Sequence, residues 1–513
     1  MALLALCSLL ALLAGVIPAQ ARDASPTVPL DDPVYERIDR LDALGKLHED
    51  VLGMRPWSRL EIARLLARAG ESAPWDTLAA WIDGARFGIA ASDSRPDTIR
   101  QDNGLGSIEG VVEPLVAGRD GVAFAHGVTF ALGSSHSAAL NRHVVAGARF
   151  DARLRIDDAS GEFGYDFEGD VSILALYGRA TFGNLVFQAG RDALAWGAAP
   201  GGGLLLARNT RPLDAAFLTS ESAWRLPWIF RHLGPTRMGL AVAALGADRT
   251  FAHSFLVATR GSFRLHSRFE LGIWDTLILG GEGAPKPTLA EIFHEIFPFG
   301  RGGLDEDFSD HRIAIDTRWQ VVPGRLVLYH ESFLEDGFRP APFGDAWDVM
   351  GLTVGVYLPS LGASGDWDCR IAATHVPAVA YRHGRWISGY TLEQRLIGDE
   401  LGPDAAGLSL QVARHRNDGG VTRFLLALEE RNADTWAQEP AAEGAFGDIY
   451  RVEDFEADRR LRGGLMIRRS MSAGVRVRGS ASLEHRFDGG FPHHSGSTHY
   501  FAELGLEFFS PPR

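Results

Sequence analysis

The chain has 513 residues, 46% hydrophobic, 23% charged and 10% aromatic, with 59 glycines and 25 prolines. Its mean hydropathy is -0.04, and its net charge is -14, from 51 basic against 65 acidic residues. These values exclude a helical membrane protein, a disordered chain and a collagen-like polymer, and the acidic balance argues against nucleic acid as a partner.

In chain order, Ala2 to Ala19 is almost wholly apolar and Ala19-Gln20-Ala21 has the small-x-small form of a cleavage site. The reading is an export signal over residues 1–21, cut after Ala21. Cys369 is then the only cysteine left in the mature chain, so neither an intramolecular disulfide nor a cysteine-based metal cluster is expected. No later stretch approaches the roughly 18 apolar residues of a transmembrane helix. If the mature chain enters a membrane, it does so as strands.

Residues 22–100 read as a helical bundle on the periplasmic side, with a linker. Tyr35, Ile38, Leu41 and Leu44 repeat at threefold spacing behind Pro33, which is tolerated in a first turn. Gly53 and Pro56 interrupt the pattern. Ser58 and Glu61 then form a capping box ahead of Ile62, Leu65 and Leu66. Gly70 closes that helix, and Trp75 to Ile82 is expected to form a third.

Beyond about residue 101 the period changes to two. Val144, Ala146, Ala148, Phe150, Ala152, Leu154 and Ile156 alternate with His143, Arg149, Asp151, Arg153 and Arg155. The same alternation recurs around Phe263–Ile273, Ile313–Gln320 and Val475–Arg486. A soluble sandwich also alternates. Here the segments are long, one face is densely ionic, and the other stays apolar to the strand ends, as lipid on one side and a polar lumen on the other require. Tyr500 to Phe509 resembles the aromatic-rich last strand of such barrels. The expectation for residues 101–513 is a large antiparallel outer-membrane β-barrel of about 16–20 strands. Arg264, Arg268, Arg312, Arg318, Arg476 and Arg478 are expected to enter its lumen and pair with Glu270, Asp316 and Glu484.

Several short motifs in order resemble the Wzi family of capsule-assembly outer-membrane proteins. They include Val34-Tyr35-Glu36-Arg37-Ile38-Asp39-Arg40-Leu41, Gly53-Met54-Arg55-Pro56-Trp57-Ser58-Arg59 and Leu204 to Pro212. Tyr381-Arg382-His383-Gly384, Ser388-Gly389-Tyr390 and Arg395-Leu396-Ile397-Gly398 continue the series. Where that family commonly has Trp-Gly-Pro-Gly, this chain reads Trp196-Gly197-Ala198-Ala199-Pro200-Gly201. The resemblance implies an 18-stranded barrel with a helical bundle at its periplasmic end. It further implies a lectin-like, non-catalytic role, holding capsular or other extracellular polysaccharide to the cell surface beside a dedicated export channel. A monomer embedded in outer-membrane lipid, with no cofactor, is expected.

Candidate chemistry is sparse. Gly201-Gly202-Gly203 lacks the Lys-Ser/Thr ending of a phosphate loop, and Glu291 to Glu295 lacks zinc-hydrolase spacing. His493-His494 is a weak candidate for metal. Asp305, Glu306, Asp307 and Asp310 offer calcium-like oxygens without the spacing of a known loop. The set that suits sugar is Arg191, Trp196, Arg208, Asn209, Arg211, Tyr381, His383, Tyr390 and Arg395: aromatic faces for C–H surfaces, and forked donors for hydroxyls and uronates. Each residue alone also has a structural reading, as a lumen ion pair or a girdle aromatic. The alternatives to a binding barrel are a diffusion or transport channel and an outer-membrane lipid- or glycan-modifying enzyme.

Overall fold

In a computed structural model, the period-two segments become the wall of one closed barrel. The structure describes residues 24–73, 83–93, 97–102, 107–112, 120, 126–158, 165–199, 202–286, 288, 291, 308–335, 346–383, 385–416, 418–431, 435–438, 449–452, 457–487 and 496–509. Among these, 18 antiparallel strands close the wall, and the two-residue strand Trp224–Arg225 is attached beside Pro235–Ala244. The last strand, Ser497–Phe509, meets the first, Gly84–Ser92, which also pairs with Gly127–Asn141. The export-signal segment and the expected third helix at Trp75 to Ile82 lie outside the described residues.

The wall starts earlier than the expected residue 101. Gly84–Ser92 already closes it, with Arg86 pointing inward to Asp151 while Phe87 and Ile89 face out. Its Gly- and Ala-rich sequence gives too weak an alternation to stand out. The other phases hold. Leu154, Ile315, Trp319, Leu483 and Leu504 are exposed on the outside, while Arg149, Asp151, Arg312, Asp316 and Glu484 are buried inside.

Several connections at one end are tight turns, such as Arg142-His143, Gly183-Asn184, Ser267-Arg268 and Ala473-Gly474. The other end carries long connections, including 193–212 and 377–404. In outer-membrane barrels the short turns face the periplasm.

The amino-terminal segment enters the barrel from the short-turn end. It holds two helices, α1 (Val34–Ala43) and α2 (Arg59–Arg68). The Ser58 hydroxyl accepts from the Glu61 amide at 3.0 Å, as the capping box requires. Tyr35, Ile38, Leu41, Trp57, Ile62, Leu65 and Leu66 form the shared core of the pair. At the rim, the Gly324 amide donates to Ala43 O and the Arg40 guanidinium to Gly365 O.

The acidic side chains of α1 meet the inward arginines of the wall. Asp42 receives Arg264 at 2.9 Å and Arg318 at 2.9 Å, all three buried. Asp39 receives Arg55 at 2.6 Å, and Glu36 bridges Arg423 and Arg468. Leu52 and Gly53 donate their amides to Glu270, which also pairs with Arg264. Two expected pairings are corrected. Asp316 takes Arg260 at 2.6 Å and Glu484 takes Arg462, both across strands, and Glu484 also takes Arg486 two residues along its own strand. Arg268 is not in the lumen at all: it sits exposed in the turn after His266, where the strand has already ended.

Asp42→Asn therefore leaves two buried guanidiniums short of a counter-charge and should cost about 3–5 kcal/mol of stability. Arg268→Ala, in the exposed turn, should stay within about 0.5 kcal/mol. Denaturant unfolding of the two variants in detergent measures the contrast.

Candidate functional site

On one side of the barrel the lumen changes chemistry along its length. On the strand Phe255–His266 the inward residues Leu256 and Ala258 lie toward the long-loop end, and Arg260, Ser262 and Arg264 toward the short turns. Its neighbours supply inward Trp274, Ile278, Ala314 and Phe333 at the same level. An apolar patch inside a barrel needs a cover, and two of the long connections fold in to provide it.

The connection 193–212 brings Trp196, Leu204, Leu205 and Leu206 into this patch. Trp196 lies edge-on to Trp274 at 6.3 Å, and Ala195–Trp196 pairs antiparallel with Met54–Arg55 of the amino-terminal segment. The inward-folded loop and the short-turn plug thus share a two-stranded sheet within the lumen. Gly203 must be glycine here, because a Cβ would come within 2.4 Å of the Trp196 carbonyl.

The connection 377–404 lies beside it. Tyr381 donates its hydroxyl to Leu204 O at 2.6 Å and accepts the Asp399 amide at 3.1 Å. Its ring stacks between Phe333 at 5.4 Å and Tyr390 at 6.0 Å, and Arg312 lies 4.2 Å over Tyr390. His383 Nδ1 accepts the amides of Arg385 and Trp386, shaping the turn.

These positions bear on the expected sugar set. Trp196, Tyr381 and Tyr390 are fully buried and His383 nearly so, so their faces hold the plug together and present nothing for a sugar to stack on. Arg191 departs in another way. It shares the outer face with Leu176, bound in a fork to Asp214 at 2.8 Å through both nitrogens. Arg211 joins the same carboxylate at 2.9 Å and reaches the exposed Glu393 at 2.7 Å. Arg395 stands half-buried two residues beyond Glu393.

Arg208 and Asn209 reach a different place. Arg208 forks onto Asp120 at 2.8 and 3.0 Å, and Asn209 donates to Gly398 O. Both line a polar chamber on the side of the lumen that the plug does not fill. Its part near α1 encloses about 480 Å³ and its part under the loops about 380 Å³, with Arg208, Arg370 and Gln411 lining both. The loop part is rimmed by Glu331, Asp399, Glu400, Glu429 and Arg462. The sequence offered no signal for these acids, because they come from separated strands and a loop. Confinement away from bulk water pushes the Glu400 carboxyl up to about 7, against the pull of Arg462 and with Asp399 adding to the rise. No group of three or more acids, histidines or cysteines suits a metal ion among the described residues. Asp310 is buried and paired with Arg312 at 2.8 Å; its calcium-reading neighbours Asp305, Glu306 and Asp307 lie outside the described residues, as do His493 and His494.

Two outcomes are expected from this arrangement. Tyr381→Phe removes a hydroxyl bridge between the Leu204 carbonyl and the Asp399 amide, which still meet each other at 3.1 Å, and should cost about 0.5–1.5 kcal/mol, read as a lower unfolding midpoint with faster proteolysis of the 377–404 connection. Glu400 holds its proton more tightly folded than unfolded. Its stabilising contribution is full below the ordinary 4.5 and is lost as pH rises through about 7. Melting temperature measured between about pH 5 and 8 should fall, and Glu400→Gln should flatten that slope.

A family model described as capsule assembly protein Wzi matches residues 109–486. The solved structure of Wzi from Escherichia coli, described as an outer membrane protein involved in group 1 capsule assembly and a carbohydrate-binding β-barrel, superposes with a TM-score of 0.66. That match has 18% identity and covers 95% of this chain and 100% of that one. The OccD3 (OpdP) structure from Pseudomonas aeruginosa matches at TM-score 0.44 and 10% identity, over 87% of this chain and 97% of that one. No curated protein sequence matches. With the closed 18-stranded wall and a family match across most of its length, the chain belongs to the Wzi family of capsule assembly proteins and is an outer-membrane β-barrel.

Proposed function

We propose that this barrel binds capsular or related extracellular polysaccharide at the cell surface and holds it there without catalysis. The observation that carries the reading is a plug that enters the lumen from both ends. The α1–α2 segment enters at the short turns, 193–212 and 377–404 enter at the long loops, and the two meet at Met54–Trp196. A wall so stopped favours surface binding over diffusion. Family membership and the carbohydrate-binding description of the Escherichia coli relative support the same reading.

The short-turn end, with its helices, then faces the periplasm, and polysaccharide is met at the long-loop end. Of the residues expected to touch sugar, Arg211 and Arg395 remain as the members near the loop surface. Arg211 exchanges its contact with exposed Glu393 for the carboxylate of an acidic sugar. Arg208 and Asn209 serve the chamber beneath. The protein acts as a monomer in outer-membrane lipid, beside a separate export channel.

Purified protein should retain acidic capsular polysaccharide while showing little conductance in planar bilayers. Arg211→Gln with Arg395→Gln should weaken retention about tenfold or more, the weight of charge-assisted hydrogen bonds. High conductance with no retention overturns the reading in favour of a channel. Turnover of glycan or lipid esters by the pure protein overturns its non-catalytic part.

A further inference from the structure

At the short-turn end one connection is not tight. Between the strands Leu213–Ser220 and Pro235–Ala244 the chain makes a longer excursion, ending in the 3-10 helix Trp228–Leu233. This excursion lies on the outside of the barrel. Met238 and Phe263 point outward by strand phase, yet both are buried, beneath Leu226 and with Trp224, Phe230 and Leu233 packed against them.

A 3-10 helix repeats every three residues. Phe230 and Leu233 therefore share the face against the wall, Trp228 eclipses Arg231, and Ile229 eclipses His232. Trp228 is 86% exposed and Ile229 75% exposed. Trp228 also adopts φ 56, a left-handed conformation that a bulky side chain enters only at a cost. The return to the wall is close: a Cβ on Gly234 would stand 2.0 Å from the Arg264 carbonyl. The backbone is thus held in an unfavourable shape that keeps an indole off the protein.

We propose that Leu226–Leu233 is a membrane foot that grips anionic glycerophospholipid in the leaflet at the short-turn end. The apolar tip continues the bilayer-facing surface, since Leu240, Val242 and Leu265 are exposed on the same outer face beside it. The charge is complementary. Arg225, Arg231 and His232 are exposed, and no acidic residue occurs from Ser222 to Gly234. The acid contact of this stretch is Glu49 on Arg225, at 3.3 Å on an exposed rim. Aromatic and aliphatic tips sink to the acyl boundary while basic groups meet phosphodiesters, the pattern of interfacial anchors.

The full chain in nanodiscs of phosphatidylethanolamine, with or without phosphatidylglycerol, tests this. A nitroxide at Ile229→Cys in a Cys369→Ser background should show oxygen-rich, polar-reagent-poor collisions, in contrast to one at Arg268→Cys in the neighbouring turn. Retention of phosphatidylglycerol, read by native mass spectrometry, should fall about fivefold for each of Arg225→Gln and Arg231→Gln, the weight of one basic residue at an anionic surface. These exposed arginine variants leave the core untouched and keep the test open if the labelled chain folds poorly. A label at Ile229→Cys as wet as that at Arg268→Cys, or unchanged lipid retention, overturns the proposal. Protection that appears only at concentrations where barrels associate assigns the face to a second copy and also overturns it.

Discussion

The structure depends on the buried contact between the acids of α1 and the arginines of the wall. Asp42 between Arg264 and Arg318 is its centre, Glu36 repeats the arrangement on Arg423 and Arg468, and Asp39 between them ties Arg55 of the amino-terminal segment. An isolated ten-residue helix is marginal in water, and a wall with unpaired inward arginines is no better placed. Each supplies the counter-charge that makes the other's burial tolerable. Such pairs add little net stability over apolar packing. Their effect is on placement, because a charge pair tolerates far less sliding than an oily contact does.

That placement propagates. With α1 fixed, the strand Met54–Arg55 lies where Ala195–Trp196 can pair with it, and Trp196 is carried onto Trp274. The 193–212 connection then offers Leu204 O to Tyr381, which orders 377–404. Ionic pairing near the short turns and aromatic packing near the long loops are therefore successive layers of one plug. On the strand Phe255–His266 the division shows within one segment, whose inward side chains are apolar toward the long loops and charged toward the short turns.

Much of the wall was legible in the sequence because lipid on one side and a polar lumen on the other enforce strict alternation. The Gly84–Ser92 strand escaped notice where alanine and glycine blurred that contrast. The capping box at Ser58 is local and was equally readable. Partner identity was not. Arg264 meets Glu270 as expected, but Asp316 and Glu484 pair across strands in a register that no single segment encodes. The burial of the aromatic members of the sugar set was hidden for a related reason. Tyr381 and Tyr390 have the composition of a carbohydrate platform, and only tertiary folding reveals that their faces are already occupied. A cheap signal existed nonetheless: Glu36, Asp39 and Asp42 repeat every third residue on α1, an acidic stripe beside its apolar one that asks for basic partners.

The residual chamber bears on the difference between a binding barrel and a conduit. Its part near α1 is lined by eight carboxylates and seven guanidiniums, nearly all of them interlocked. Burial pushes Asp32 among them up to about 6, which brings the balance closer still to neutral. A lining of near-zero net charge generates little field to draw an ion or an acidic sugar through. Six of the seven arginines there pair with a carboxylate, as Arg208 does with Asp120 and Arg478 with Glu503, while Arg370 lies over the Tyr357 ring. A permeating anion would have to displace these carboxylates one after another, and the plug blocks the rest of the cross-section. At the loop surface Arg211 is shared between Asp214 and the exposed Glu393, and an acidic sugar needs only the Glu393 contact to give way, so acidic polysaccharide is better served at the rim than in the interior.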